Sequence, residues 1–354
     1  MKRDSRVRTI RMRESSHKEV SMALPTNMQA LRLESFAGPE GLFVREVAIP
    51  TPRAGQVLVK MRTAAVNPSD LMFLRGRYGV RREPPTTPGF EGCGVVVAAG
   101  SGFGQMLIGR RVACAAQGEF GTWAEYTIAS ATSCFPLRAA VNDDQGAMML
   151  VNPLTAWAML DTAQRAGHRG VVINAANSAL GRMIIRVAVV RGIPTIAVVR
   201  SNTYVAELTA LGATQVLVSS DADFGQQLRE ASERLKVTMA FDAIAGAQTG
   251  ELLNAMPRGA HVLVYGALSL APVQVDVGTL LFGQRRVEGF WLSEWIAKYG
   301  MRRVVPAMIE LQTRLLPAID TTPIGHYALA DAAAGIRAYQ DNMGAGKIIL
   351  QLGS

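Results

Sequence analysis

The chain has 354 residues, of which 49% are hydrophobic and 18% charged, and its formal net charge is +9. That length exceeds one ordinary core and points to about two domains, and the apolar fraction excludes an intrinsically disordered chain. No apolar run reaches the length of a membrane span, and no basic run is interleaved with aromatics, which argues against nucleic acid as a partner.

Cys93, Cys114 and Cys134 form neither a CxxC pair nor an even disulfide set, as expected of a reducing compartment: the cytoplasm, or the mitochondrial matrix in a eukaryote. Residues 1–27 hold seven Lys/Arg against three acids and supply +4 of the net charge. They lack the apolar core of a secretory signal, and Asp4, Glu14 and Glu19 argue against a transit peptide. The expectation is a disordered tail or a start codon placed too early, with folding from near Met22 or Met28.

Residues 28–150 predict a small barrel-like β domain: short strands at 30–33, 56–61, 94–99, 111–114 and 122–128, separated by Gly/Pro turns. A helix is predicted from Asp143-Asp144 to Leu150 and another after Pro153, carrying Trp157 and Leu160. Over residues 151–315 the period changes to alternating strand and helix. Strands are predicted at 171–176, 195–200, 214–218, 239–244 and 260–265, with another from about 285; this order implies a doubly wound parallel sheet of α/β type. Helices at 301–314 and 328–340 precede a last strand, 347–352, which should return to the first domain, so that 316–354 completes it.

The organising stretch is Val171-Val172-Ile173-Asn174-Ala175-Ala176-Asn177-Ser178-Ala179-Leu180-Gly181-Arg182. It reads as strand, tight turn and helix start, where backbone N–H groups meet a pyrophosphate. Ser178 or Ala179 stands where the fingerprint's second glycine is usual. The next strand ends at Arg200, about 20 residues beyond the turn, where this fold senses the adenosine ribose. An acid there would accept from a 2′-hydroxyl, whereas Arg200 can pair with a 2′-phosphate, so the cofactor reads as NADP(H).

Several motifs carry a family likeness: Asn67-Pro68-Ser69-Asp70 followed by Arg75-Gly76-Arg77-Tyr78-Gly79; Val151-Asn152-Pro153-Leu154-Thr155-Ala156; Asn174-Ala175-Ala176-Asn177-Ser178; Val198-Val199-Arg200; and Gly289-Phe290-Trp291-Leu292-Ser293-Glu294-Trp295. With these, residues 28–352 resemble the zinc-free branch of the medium-chain dehydrogenase/reductase superfamily, and within it the mitochondrial-type trans-2-enoyl thioester reductases. The resemblance implies a GroES-like β domain beside a Rossmann domain, and a homodimer formed through the sheet edge near 262–290. Zinc alcohol dehydrogenases of the superfamily have cysteine where Asn67 stands and Gly-His-Glu where Gly89-Phe90-Glu91 stands. Phe90 cannot ligate zinc and Asn67 is a poor ligand, so no metal is expected.

Hydride delivery to C3 of a 2-enoyl thioester leaves an enolate whose C2 needs a proton. Tyr78, a phenol protonated at neutral pH on a Gly-flanked loop, is the candidate acid, where the resemblance places the catalytic tyrosine. Asn67 would hold Tyr78 or the substrate carbonyl, or serve only as a turn residue before Pro68. By resemblance, Asn152 and Thr155 lie on the nicotinamide side, Asn177, Ser178, Ala179 and Leu180 at the pyrophosphate, and Arg200, Ser201 and Asn202 at the 2′-phosphate. The family's pattern has a second arginine where Asn202 stands, so the NADP preference should be weaker. Tyr265, Gly266, Ala267 and Leu268, then Phe290, Trp291 and Leu292, would close over the nicotinamide, with Lys347 at the far end. Trp291, Trp295 and Phe90 suit an apolar acyl pocket, although aromatics at this spacing more often form core. Two further readings stay open: an NADPH:quinone reductase, which needs only a flat open pocket, and a non-catalytic NADPH- or RNA-binding protein.

Overall fold

The structure is a computed structural model and describes residues 24–116, 118–343 and 346–353. The tail expected over residues 1–27 lies outside these except for its last four. Leu24 already packs on an apolar cluster and Asn27 opens the first strand. Two units can be told apart: one runs to Val151 and resumes at Thr321, and the other is Asn152–Asp320.

The first unit opens with a ribbon of β1 (Asn27–Leu33) and β2 (Leu42–Ala48). There follow β3 (Gln56–Ala65), α1 (Pro68–Leu74), β4 (Glu91–Ala99), β5 (Arg111–Ala116), β6 (Tyr126–Pro136) and α2 (Asp143–Ala147). β3 pairs with β4 and again with β6, so the run β3-β4-β5-β6 closes on itself as a small barrel. Its interior is filled by Val59, Met61, Val96, Val112 and Trp123, among others. The strand expected from Thr122 starts only at Tyr126. Trp123 is held across the chain instead: its N–H donates to the Pro88 carbonyl (3.1 Å), its indole N–H to Ala65 (3.2 Å), and its carbonyl accepts from Leu31 (2.9 Å).

The second unit runs α3 (Asn152–Arg165), β7 (Val171–Ile173), α4 (Ala179–Arg191), β8 (Thr195–Val199), α5 (Val205–Ala210), β9 (Gln215–Val218), α6 (Phe224–Leu235) and β10 (Met239–Asp242). It continues through α7 (Gln248–Ala255), β11 (His261–Val264), α8 (Val277–Leu281), β12 (Arg286–Gly289), α9 (Leu292–Tyr299), α10 (Met301–Leu311) and α11 (Leu316–Ile319). The six strands are parallel in the order β12-β11-β10-β7-β8-β9. Chain direction across the sheet reverses between β7 and β10, the switch point at whose carboxyl end α/β sheets bind ligands. The strands end up to three residues before their expected limits because the chain turns into these loops.

The chain then returns to the first unit as β13 (Pro323–Ala328), α12 (Ala332–Asp341) and β14 (Lys347–Gln351), with β14 antiparallel to β3. The return comes at Thr321, five residues after the expected 316. Arg186 on α4 donates to the carbonyls of Ala318 (2.7 Å) and Asp320 (3.0 Å) and keeps α11 with the second unit.

Candidate active site

In the first unit, Asn67 precedes Pro68 at the start of α1, where a proline costs no helical hydrogen bond. Its N–H donates to Asp70 Oδ2 at 2.8 Å, one half of a capping box. α1 ends at Arg75, and Gly76 follows at φ +66 with the Phe36 ring 3.1 Å from where a Cβ would stand, so glycine turns the chain toward Tyr78. Tyr78 is half-buried and packs on Phe90 with ring centroids 5.0 Å apart; Phe90 meets Phe73 edge-on at 5.6 Å. Arg82 lies over Phe73 at 4.7 Å and donates to the carbonyls of Phe120 (3.0 Å) and Thr87 (3.3 Å). The loop is therefore pinned on both sides of Tyr78. It walls a cavity lined by Phe36, Phe73, Gly76, Val80, Arg81 and Glu83.

The head of α1 carries a buried polar cluster. Asn67 has no exposed surface: its amide oxygen accepts from the Lys347 ammonium, and its Nδ2 donates to Glu91 Oε1 at 2.9 Å. The other Glu91 oxygen accepts the N–H groups of Leu150 and Val151, both at 2.8 Å. Burial pushes the Glu91 and Asp70 carboxyls up, Asp70 to about 7, and pushes the Lys347 ammonium down to about 8; their mutual attraction opposes these shifts.

In the second unit the turn after β7 is built for close approach. The Asn174 side chain donates to Asp242 Oδ1 (2.6 Å) and Gln248 (2.9 Å) and accepts from the Ala243 N–H (2.7 Å), tying β7 to β10 at the switch point. Ser178 caps α4 by accepting from the Gly181 N–H at 3.1 Å. A Cβ on Gly181 would stand 2.6 Å from the Ala176 carbonyl oxygen, so only glycine lets the helix start close on the strand. The N–H groups of Ala179 and Leu180 make no hydrogen bond among the described residues. A helix start with unspent donors over a backbone-lined turn fits the diphosphate of a dinucleotide.

The segments assigned to the cofactor follow four strands of this sheet: 177–180 after β7, Arg200–Asn202 after β8, Tyr265–Leu268 after β11 and Phe290–Leu292 after β12. They share its carboxyl edge. Arg200 is exposed and makes no hydrogen bond or ion pair among the described residues. The Tyr265 hydroxyl is buried without a hydrogen-bond partner, and its burial raises its pKa. Asn152 opens α3 and Thr155 is buried in its first turn.

The alcohol dehydrogenase GroES-like domain profile matches residues 53–139, and the zinc-binding dehydrogenase profile matches residues 179–312. A mitochondrial enoyl-[acyl-carrier-protein] reductase of Caenorhabditis elegans is 32% identical over 264 residues, covering 73% of this chain and 75% of its own. The Homo sapiens protein of the same name is 29% identical over 320 residues, 87% of this chain and 86% of its own. A solved structure described as an NADPH:quinone reductase from Mesorhizobium loti is 36% identical, with a TM-score of 0.84, and the match covers 93% of this chain and all of that one. The chain belongs to the medium-chain dehydrogenase/reductase superfamily. Within this superfamily of oxidoreductases, its first unit is the GroES-like domain and its second the Rossmann domain.

Because one matched profile of the medium-chain dehydrogenase/reductase superfamily is named for zinc, the donor set bears a direct test. Phe90 offers no ligand, both Glu91 oxygens are taken, and the Asn67 amide oxygen faces an ammonium. Among the described residues no three His, Cys, Asp or Glu side chains gather at one point. These residues do not fit a catalytic zinc ion.

Three residues singled out in the sequence are buried. Asn67 is buried, and its bonds to Asp70, Glu91 and Lys347 anchor the head of α1. Lys347 is 3% exposed and donates to the Asn67 amide oxygen and the Val66 carbonyl in the first unit. Trp295 is core, 6.0 Å from Trp157 and 5.3 Å from Tyr299 by ring centroids. Sequence reasoning missed Asp70, Arg82, Asn174 and Asp242 as organisers of the two sites. The Asp70 signal was there in the Asn-Pro-Ser-Asp cap; Arg82 has none, because its partners are backbone carbonyls.

Proposed function

We propose that the protein is an NADPH-dependent reductase of the carbon–carbon double bond of 2-enoyl thioesters, carried on coenzyme A or an acyl carrier protein, and that it works without a metal. The observation that carries this reading is the placement of Tyr78, half-buried on Phe90 in a loop pinned by Gly76 and Arg82. NADPH, when bound, supplies a hydride to C3. The Tyr78 phenol then gives its proton to C2 and regains one from solvent. Asn67, Glu91 and Lys347 hold the head of α1, which leads into the loop. Arg200, Ser201 and Asn202 meet the 2′-phosphate, and Ala179 and Leu180 the diphosphate. Tyr265, Gly266, Ala267, Leu268, Phe290, Trp291 and Leu292 serve the nicotinamide, with Asn152 and Thr155.

The enoyl-[acyl-carrier-protein] reductases among the relatives support the substrate class, and their mitochondrial naming agrees with a reducing compartment, cytoplasm or mitochondrial matrix. A second reading, quinone reduction, is favoured by the 36% identical structure described as an NADPH:quinone reductase. Among the described residues no helix is long and apolar enough to cross a membrane. Between β11 and edge strand β12, Leu268, Leu270, Val277, Leu281 and Phe282 are each more than half exposed. So much exposed apolar surface beside a sheet edge supports a homodimer closed there. Following NADPH absorbance with a panel of enoyl thioesters and quinones tests the function: turnover with crotonyl thioesters and not with quinones is expected, and the reverse selects the second reading.

A further inference from the structure

Arg182 stands in the first turn of α4 and turns back across it. One of its N–H groups donates to the Asn177 carbonyl, and its Nε and Nη2 donate to the two Glu207 oxygens at 2.6 and 3.0 Å. Its guanidinium carbon lies 5.9 Å from the centroid of the Tyr204 ring. Glu207 and Tyr204 belong to the segment that follows Arg200, Ser201 and Asn202. A guanidinium thus bridges the diphosphate turn and the loop after β8, the two places between which this fold holds the adenosine ribose.

We propose that Arg182 is a specificity-determining residue for NADP(H), a second cation for the 2′-phosphate, and that Glu207 is its resident counter-ion, occupying the forked face that a phosphate would take. The proposal rests on the NADPH reading of the cofactor. A guanidinium has five N–H donors and three are in use here, so donors remain for a further oxygen without breaking the existing bonds. Carboxylate and phosphate match the same planar fork, which makes Glu207 a competitor for that face as well as an anchor. Its hydrogen bonds to Arg182 hold the Glu207 carboxyl below its ordinary pKa, so the competing charge is present at neutral pH. The Arg182 side chain keeps 22% of its surface exposed, within reach of an incoming ligand. Asn202 brings no charge to the loop that holds Arg200.

The test is binding without substrate: titration of the full-length protein with NADPH and with NADH, read by nicotinamide fluorescence, and with 2′,5′-ADP and 5′-AMP by calorimetry. Arg182→Gln should weaken NADPH and 2′,5′-ADP about 10-fold or more, the scale of a charge-assisted pair, and leave NADH and 5′-AMP unchanged. Glu207→Gln should tighten NADPH several-fold and leave NADH unchanged, a gain that a misfolded variant cannot produce. Equal weakening of NADPH and NADH by Arg182→Gln, or an unaltered NADPH to NADH ratio in Glu207→Gln, overturns the proposal, since Arg182 then only shapes the turn through Asn177. A wild-type protein without NADPH preference refutes the cofactor reading itself, and does so before any variant is made.

Discussion

Lys347 on β14 and Asn67 at the head of α1 are 280 residues apart in sequence and are joined by a hydrogen bond from ammonium to amide oxygen. Through the Asn67 amide the contact reaches Glu91 and, beyond it, the backbone of Leu150 and Val151. The chain's last strand thus fixes the head of α1, the helix that leads into the loop carrying Tyr78, inside the first unit.

Removing this cation should be costly. Lys347→Met leaves Glu91 and Asp70 buried without their positive partner, a loss of about 3–5 kcal/mol by the usual cost of breaking a buried pair. Urea unfolding of the variant should show this near pH 7, with a smaller cost near pH 5, where Asp70, raised to about 7, is protonated. A cost below about 1 kcal/mol, the range of exposed ion pairs, would mean that the cluster is solvated.

Asp70 makes its own pH dependence. Its pKa is raised from 3.8 to about 7, chiefly by burial, so the folded state favours the protonated acid. Its contribution is fully present below pH 3.8 and is lost as pH rises through about 7. Asp70→Asn keeps an acceptor for the Asn67 N–H and removes the titration. Its stability relative to wild type should therefore increase between pH 4 and 7 and level off above, as chemical denaturation at a series of pH values would reveal. A difference that does not change over that window contradicts the assignment.

Much of this was legible in the sequence and some was not, for identifiable reasons. The parallel strands β7, β8, β10 and β11 are short, mainly apolar runs followed by small or turn residues, so their succession along the chain and the tight turn after β7 could be read. β2 escaped because Arg45 and Glu46 sit in a largely exposed ribbon, and β13 because it opens on Pro323 and carries Gly325 at a sheet edge. At seven residues, α1 is too short for its period to register. The site turn was legible where local backbone makes it, as at the Ser178 cap of α4. The site was illegible where distant side chains meet: nothing local marks Lys347 as the partner of Asn67, or Glu207 as the partner of Arg182.

Arg200→Gln should weaken NADPH by about 10- to 100-fold, the scale of losing charge-assisted hydrogen bonds to a phosphate, with NADH binding unchanged. Fluorescence titration measures both. Equal affinities for NADPH in the variant and the wild type would remove Arg200 from the site.

Phe282 is 79% exposed and Leu281 65%. If this surface closes a homodimer, Phe282→Asp should shift sedimentation at micromolar concentration toward monomer, with no change in the thermal unfolding of the second unit's core. An unchanged sedimentation coefficient would place the dimer contact elsewhere.

The most direct measurement is Tyr78→Phe assayed with crotonyl-CoA and NADPH. Proton delivery by the phenol predicts a fall in kcat of about 10²- to 10⁴-fold, the usual worth of a general acid, with the Kd for NADPH unchanged. Crotonyl thioester turnover at the wild-type rate would contradict it.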